Sequence, residues 1–189
     1  MNDAFFEKAG NQIILIEGGF INNPKDKGGA TKYGITEKVA RQNGYIYDMR
    51  NLTKVKAKEI YKNEYWDKIG VNCESFNISF LLFDFAVNSG VKTAVKHLQN
   101  ALNSMLNGII EPLIIDGVAG KKTQAAMDYV NGNGFFHSSS IEIIGRKLEI
   151  LLISERLKFY TSLSKTQFNE FGKGWINRVA NNIHFLMGV

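Results

Sequence analysis

One acidic residue, Glu17, stands where a hydrophobic segment meets a run of glycines. The apolar residues 13–16 lead into it, and Gly18 and Gly19 follow at once. Glycines allow positive φ and sharp reversals, so we expect Glu17 to be the last residue of a helix that faces a turn-rich segment. Apolar surroundings favour the protonated form of a carboxylic acid, which is the form that a general acid needs. An exposed glutamate at a frayed helix end is the alternative.

The residues after Glu17 supply three candidate partners for the same chemistry. Asp26 could act as a base or as an electrostatic stabiliser, and an Asx-turn in a glycine-rich loop is an equal alternative. Thr31 could position an attacking water, although a threonine in a strand needs no functional reason. Tyr33 could line a substrate groove or pack beneath a hairpin.

A second set of polar residues lies in the most apolar stretch of the chain, residues 76–88. This stretch is apolar almost all round, which is typical of a helix buried on most sides. Asp84 and Asn88 are four residues apart and therefore share one face. A buried carboxylate must be paired or functional, so Asp84 either joins two segments through hydrogen bonds or contacts a substrate. Trp66 could stack on a ligand or belong to the core.

The elements that must position these residues are mostly helices. Helical spacing of apolar residues dominates, and 189 residues contain only two prolines, so we predict a mainly α fold. Thr36 and Thr53 are predicted N-caps, and Thr31–Ile35 is the best candidate for a strand. The predicted helices are residues 3–17, 37–42, 54–66, 76–88, 91–106, a short helix that contains Thr123 and ends near Val130, residues 139–163, and residues 165–187 with a break at 172–174.

Composition narrows the class of function. The length suits one compact domain, or one domain with a modest second lobe. The net charge of +5 suits a polyanionic partner, but the lysines are dispersed and arginines do not cluster, so we expect no nucleic-acid partner. Cys73 is the only cysteine, which excludes an intramolecular disulfide. His97, His137 and His184 lie far apart, so neither a metal site nor a cofactor is expected.

The first residues carry none of the marks of a secretory signal, and the longest apolar runs are far too short to span a membrane. We therefore expect a protein made in the cytoplasm without a signal peptide and without stable membrane insertion. If its target lies outside the cytoplasm, a holin-type or other export route must deliver it.

The segment Glu17–Thr36 resembles the signature of the glycoside hydrolase family 108 muramidases, bacterial and phage proteins that are also described as secretion activator proteins. The matched positions are Glu17-Gly18-Gly19-Phe20, Asn22, Pro24, Asp26, Gly28-Gly29, Thr31 and Tyr33-Gly34-Ile35-Thr36. Later matches, in the same order as in the family, are Tyr65-Trp66, Phe83–Gly90, Leu98-Gln99, Asp116–Gly120, Thr123 and Gly174–Val179. The resemblance covers nearly the whole chain. Two residues depart from the pattern: Asn23 replaces a common Asp, and Lys27 replaces a common Pro.

This resemblance implies a lysozyme-like fold, mainly α, with a small β-hairpin element beside the catalytic glutamate. It implies a catalytic region over residues 1–89 and a helical, peptidoglycan-binding-like region over residues 90–189, packed as one body. The order of Glu17, Asp26 and Thr31 is also similar to the order of catalytic residues in phage-type lysozymes.

The implied function is a peptidoglycan hydrolase, an N-acetylmuramidase that cleaves the β-1,4 bond between N-acetylmuramic acid and N-acetylglucosamine. Glu17 would be its general acid, and Asp26 is favoured over Asp84 as the second catalytic group. Substrate contacts are expected from Tyr33, Asp84, Asn88 and Trp66, and the protein is expected to be a monomer that binds a glycan strand. A non-catalytic peptidoglycan-binding or secretion-accessory protein is the alternative. Chitinase-like or chitosanase-like specificity stays open, as does retention or inversion at the anomeric carbon.

Overall fold

The computed structural model describes residues 1–22, 29–132 and 138–188. Helices dominate this part of the chain, and the strands within it form one small antiparallel sheet. The predicted mainly α class is therefore confirmed. The chain forms two compact units, one of residues Asn2–Lys68 and a larger one that starts at Ile69. These units are defined by structure. The predicted division by function, into a catalytic region of residues 1–89 and a peptidoglycan-binding-like region of residues 90–189, stays a prediction.

The smaller unit combines helices with a three-stranded sheet of order β1-β2-β3. Its elements are α1 (Asp3–Glu17), β1 (Phe20–Ile21), β2 (Thr31–Lys32), β3 (Ile35–Thr36), α2 (Glu37–Gln42), a 3₁₀ turn (Met49–Asn51), α3 (Lys54–Tyr61) and a π-helical turn (Lys62–Trp66). The short helix α4 (Asp67–Ile69) follows.

Side-chain caps fix where the helices of this unit begin. The hydroxyl of Thr36 accepts a hydrogen bond from the Val39 amide, and the hydroxyl of Thr53 accepts one from the Lys56 amide. Each bond satisfies a backbone donor that has no partner inside its helix. Both predicted N-caps are confirmed.

The predicted strand over Thr31–Ile35 is wrong in its middle. Tyr33 and Gly34 have φ values of 52° and 72°, so the chain reverses there and β2 pairs with β3 as a hairpin. Two consecutive residues at positive φ are the mark of a type I′ turn, whose twist matches that of the flanking strands. Gly34 makes this turn possible, because glycine adopts positive φ without a steric penalty.

The core of the smaller unit lies between α1 and the segment that runs through α3 into the π-helical turn. Phe6, Ile13, Ile60 and Trp66 are buried there, and the rings of Phe6 and Trp66 meet edge to face with centroids 5.4 Å apart. α1 approaches α3 closely beside Gly10, where a Cβ would stand 3.3 Å from the Lys58 side chain. This packing holds the end of α1 in a defined place.

The larger unit is helical throughout its described part. Its helices are α5 (Phe76–Ser89), α6 (Val91–Met105), α7 (Lys121–Val130), α8 (Ser138–Ser162) and α9 (Lys165–Met187). α5 is buried from Ile78 to Ala86 and packs against α6 and α8, which confirms its predicted central position. No helix in the described ranges has both the length and the apolar character that crossing a membrane requires.

The predicted break at 172–174 is wrong, because α9 runs without interruption through these residues. A glycine weakens a helix by about 1 kcal/mol relative to alanine, but it does not have to stop one. Gly172 is buried, and a Cβ at this position would stand 3.1 Å from the Phe168 ring. The glycine is therefore explained by close packing within the helix.

The carboxylate of Asp84 is the centre of a buried ion cluster in the larger unit. Asp84 is fully buried on α5. Arg156 Nη1 and Asn182 Nδ2 each donate to its Oδ2 at 2.6 Å, and Arg178 Nε donates to its Oδ1 at 2.9 Å. These contacts tie α8 and α9 to the central helix and answer the requirement that a buried charge be paired.

Asn88 extends this polar network by one turn of α5. Its Oδ1 accepts a hydrogen bond from the hydroxyl of Tyr160 at 2.7 Å, and that hydroxyl in turn accepts one from Arg156 Nε at 2.7 Å. Asp84 and Asn88 are therefore linked to each other through Arg156 and Tyr160 of α8.

Replacing Asp84 with asparagine keeps the shape and removes the charge. We expect the free energy of unfolding to fall by about 3–5 kcal/mol, because two largely buried arginines lose their carboxylate partner. The matched control is Glu142→Gln, which breaks an exposed ion pair of 2.8 Å with Arg146 within α8, and it should change stability by less than about 1 kcal/mol. Urea denaturation measures both variants, and equal losses would contradict the role of the cluster.

The same cluster predicts a pH dependence. Burial by itself raises the pKa of Asp84, but the charges and hydrogen bonds of Arg156 and Arg178 outweigh it and hold the pKa below its ordinary value. A lowered pKa stabilises the folded state above the unfolded pKa, about 3.9 for aspartate, and this stability is lost as pH falls through the folded pKa. We expect the stability gap between the parent protein and Asp84→Asn to be constant above about pH 5 and to shrink below about pH 4. Urea denaturation across this range measures the gap, and a gap independent of pH would refute the ionised pairing.

Candidate active site

Glu17 is the last residue of α1, as predicted. Gly18 follows with φ 76° and ψ −159°, a non-helical conformation that ends the helix and turns the chain toward β1. The apolar residues that precede Glu17 include Ile13 and Ile14, which are buried in the core of the smaller unit. Glu17 itself is half-buried, so a ligand can reach it.

The turn between β2 and β3 lies directly against the Glu17 side chain. At Gly34, a Cβ would stand 2.7 Å from Glu17 Oε2 and 2.9 Å from Glu17 Cβ. A Cβ carbon does not approach a non-bonded heavy atom this closely, so only a residue without a side chain fits here. The hairpin thereby limits the conformations that are open to the carboxyl group.

Tyr61 holds the turn in this position through a hydrogen bond. It is buried at the end of α3, with 2% of its surface exposed, and its hydroxyl donates to the Tyr33 carbonyl at 2.7 Å. The same hydroxyl lies 2.6 Å from the point where a Cβ of Gly34 would stand. The phenol of Tyr61 and the carboxyl of Glu17 therefore both border Gly34.

Tyr65 brings a second phenol to this region. Burial raises the pKa of Tyr65, and the negative charges of Glu64 and Glu17 raise it further. Its ring lies 5.8 Å from the ring of Tyr61. Tyr65 belongs to the π-helical turn Lys62–Trp66, and such turns recur at functional sites because they shift side chains out of the regular helical register. Tyr65 thus keeps a protonated hydroxyl near the candidate acid.

Two other predicted site residues lie in the same sheet. Thr31 is half-buried in β2, opposite Ile21 of β1 and Thr36 of β3. Tyr33 is half-buried in the turn, and its ring lies 5.3 Å from the Lys32 ammonium. Asp26, the predicted second carboxylate, lies outside the described residues.

The remaining predicted site residues have positions that their packing explains. Trp66 is fully buried in the core of the smaller unit. Asp84 and Asn88 are engaged with side chains of α8 and α9 in the larger unit. These environments agree with the structural alternatives, and a role of the three residues in substrate contact stays a prediction.

The sequence interpretation missed the part that Gly34 and Tyr61 play. Gly34 is one of the positions that match the family pattern. Its contact with Glu17 joins residues seventeen positions apart, so no local sequence pattern predicts it. Tyr61 had one available signal, because it precedes Tyr65 by four residues and helical spacing puts the two on one face. In the described ranges, no three His, Cys, Asp or Glu side chains lie together as metal ligands would.

Comparison with solved structures finds SagA from Brucella abortus, which is 30% identical in sequence, with a TM-score of 0.67. The match covers 96% of this chain and 92% of the SagA chain. The model of the glycosyl hydrolase 108 family matches residues 11–90, a range that contains the second half of α1 with Glu17, the sheet and α5. A comparison with curated proteins gives no significant match.

The matches to this family and to SagA support a lysozyme-like protein related to peptidoglycan, and the mainly helical chain with a small sheet packed beside a glutamate at a helix end agrees with that class. The chain belongs to the glycosyl hydrolase 108 family. The family resemblance and the lysozyme-like fold predicted from the sequence are both confirmed.

Replacing Gly34 with alanine tests the contact between the turn and Glu17. Gly44 is a matched control, because its φ of 75° is similar but nothing lies within 4 Å of its Cβ position. Both variants carry the backbone penalty of positive φ, but only Gly34→Ala forces atoms into Glu17 and Tyr61. We expect it to lose about 1–3 kcal/mol more than Gly44→Ala in thermal or urea unfolding. Equal losses would show that the turn does not press on the carboxyl group.

Proposed function

We propose that the protein is an N-acetylmuramidase that hydrolyses the β-1,4 bond between N-acetylmuramic acid and N-acetylglucosamine. The observation that carries the proposal is the half-buried carboxyl of Glu17, held at the end of α1 by the turn at Gly34. Membership of the glycosyl hydrolase 108 family supports glycosidic hydrolysis as the reaction and peptidoglycan as the substrate.

Glu17 acts as the general acid. Its protonated carboxyl donates a hydrogen bond to the glycosidic oxygen and transfers the proton as the bond from that oxygen to the anomeric carbon breaks. The sugar on the anomeric side develops oxocarbenium character, and the other sugar leaves as an alcohol. The contact with Gly34 limits the rotation of Glu17, so less orientational freedom is lost when the substrate binds.

Water completes the reaction by adding to the anomeric carbon, either directly or after a covalent intermediate. A second group must accept a proton from this water or stabilise the positive charge. We assign that part to Asp26, with Thr31 as the residue that orients the water. The half-buried position of Thr31 in β2, the strand that leads into the turn at Gly34, agrees with this assignment.

Tyr33 is the proposed sugar contact nearest to the acid. It is the residue before Gly34 and is half-buried, so part of its ring remains open to a ligand. A phenol ring offers an apolar face for the C–H groups of a sugar and a hydroxyl for its polar groups. Residues 90–189 are proposed to add peptidoglycan binding, and the protein is proposed to act as a monomer on the cell wall after holin-type or other export.

Replacing Glu17 with glutamine removes the proton donor with little change in shape. We expect the release of reducing sugar from purified peptidoglycan to fall by about 10²-fold or more, the usual contribution of a general acid. Glu7→Gln is the control, because Glu7 lies on the same helix and forms a surface ion pair with Lys58. That variant should retain full activity, and circular dichroism should show that both variants fold.

Full activity in Glu17→Gln would overturn the assignment of the acid. If the parent protein binds purified cell wall but releases no reducing sugar at any pH, the alternative holds instead. The protein would then be a non-catalytic peptidoglycan-binding or secretion-accessory protein on a lysozyme-like scaffold.

A further inference from the structure

Two cations come together on one face of the sheet. Strand pairing sets Phe20 beside Lys32, so their side chains point to the same face. Arg50 arrives there from the 3₁₀ turn, with its guanidinium carbon 5.6 Å from the centroid of the Phe20 ring. The ammonium of Lys32 donates a hydrogen bond to the backbone carbonyl of Arg50. Lys32 and Arg50 are called the cationic pair below.

Neighbouring carboxylates compensate the charge of the cationic pair only weakly. Arg50 contacts Asp48 at 3.3 Å, with the two side chains 69% and 51% exposed, and such exposed ion pairs are weak. Within the described ranges, no carboxylate forms an ion pair with Lys32. An arriving anion can therefore contact both cations without breaking a strong interaction.

The cationic pair is also close to the candidate acid along the chain. Lys32 precedes Gly34 by two residues, a distance of about 7 Å at most, and Gly34 borders the Glu17 carboxyl. A glycan strand whose glycosidic oxygen lies at Glu17 would place a neighbouring sugar near Lys32. The exposed part of the Phe20 ring, 37% of this residue, adds an apolar surface for that sugar.

We propose that Lys32 and Arg50 bind a carboxylate of the muramyl unit and thereby select acidic glycans over neutral ones. This inference rests on the proposed function and names the substrate feature that the site recognises. Arg50 offers a planar pair of N–H donors to a carboxylate, and Lys32 adds a compact charge beside it. The carboxylate is either that of the lactyl ether on a peptide-free strand or one on the attached stem peptide. Chitin has neither group.

The test measures binding by calorimetry in the Glu17→Gln protein, which should not cleave the ligand. The probes are a peptide-free tetrasaccharide of alternating N-acetylglucosamine and N-acetylmuramic acid, the same tetrasaccharide with stem peptides, and chitotetraose. We expect at least one carboxylated probe to bind about tenfold more tightly than chitotetraose at low salt, and added salt should weaken this preference. The probe that shows the preference identifies which carboxylate is recognised.

Adding Lys32→Gln and Arg50→Gln to this protein should abolish the preference and leave chitotetraose binding unchanged. Lys32→Arg with Arg50→Lys should retain most of the preference, because the charges remain. The control is Lys56→Gln, which removes a cation that is paired with Glu59 on α3 and should have no effect. Both cations of the pair have solvent access, so we expect these variants to fold.

Equal binding of all three probes, no measurable binding of the carboxylated probes, or an unchanged preference in the double glutamine variant would each overturn the inference. These results are distinct from failure of the proposed function. A parent protein that prefers carboxylated glycans but hydrolyses none would support the binding inference and contradict the proposed enzymatic activity.

Discussion

The approach of the Tyr33–Gly34 turn to the end of α1 is the contact on which the candidate site depends. It requires a residue without a side chain at position 34, a buried phenol at Tyr61 to hold the turn, and a helix that ends at Glu17. Each requirement is met by a different element of the smaller unit. The carboxyl group is consequently positioned by packing in the folded chain, before any substrate is bound.

The two units treat an acidic side chain in opposite ways. Asp84 is fully buried, and its charge is balanced by two arginines. An amide donates a further hydrogen bond, and these contacts hold the helices together. Glu17 is only half-buried and borders a phenol and a glycine. A proton donor must be reachable by the bond that it cleaves, and among these two carboxyl groups that condition is met by Glu17 alone.

Local rules predicted much of the fold. Thr36 and Thr53 begin their helices through hydrogen bonds within three residues, and such bonds can be inferred from the sequence. The all-round apolar character of α5 predicted its burial. The resemblance of Glu17–Thr36 to a family signature added the lysozyme-like fold, which composition and periodicity do not supply.

Most of the failures come from contacts between residues that are distant in sequence. Tyr33 adopts positive φ in a turn that is supported by Tyr61 on another element, so the β propensity of Thr31–Ile35 was misleading. The break predicted at 172–174 fails for a local reason, because Gly172 packs against Phe168 four residues earlier in α9. Lysines that were dispersed along the sequence gave no sign that Lys32 would lie beside Arg50. The sequence predicts that Asp84 is paired, but it does not identify the partners, which lie on α8 and α9.

Digestion of peptidoglycan in heavy-oxygen water, followed by mass spectrometry of the fragments, tests the central claim most directly. The account predicts one heavy oxygen atom at the anomeric carbon of a reducing N-acetylmuramic acid, and at least about 10²-fold less of this product from the Glu17→Gln protein. Fragments that end in anhydro sugars without heavy oxygen, or that end in reducing N-acetylglucosamine, would contradict it.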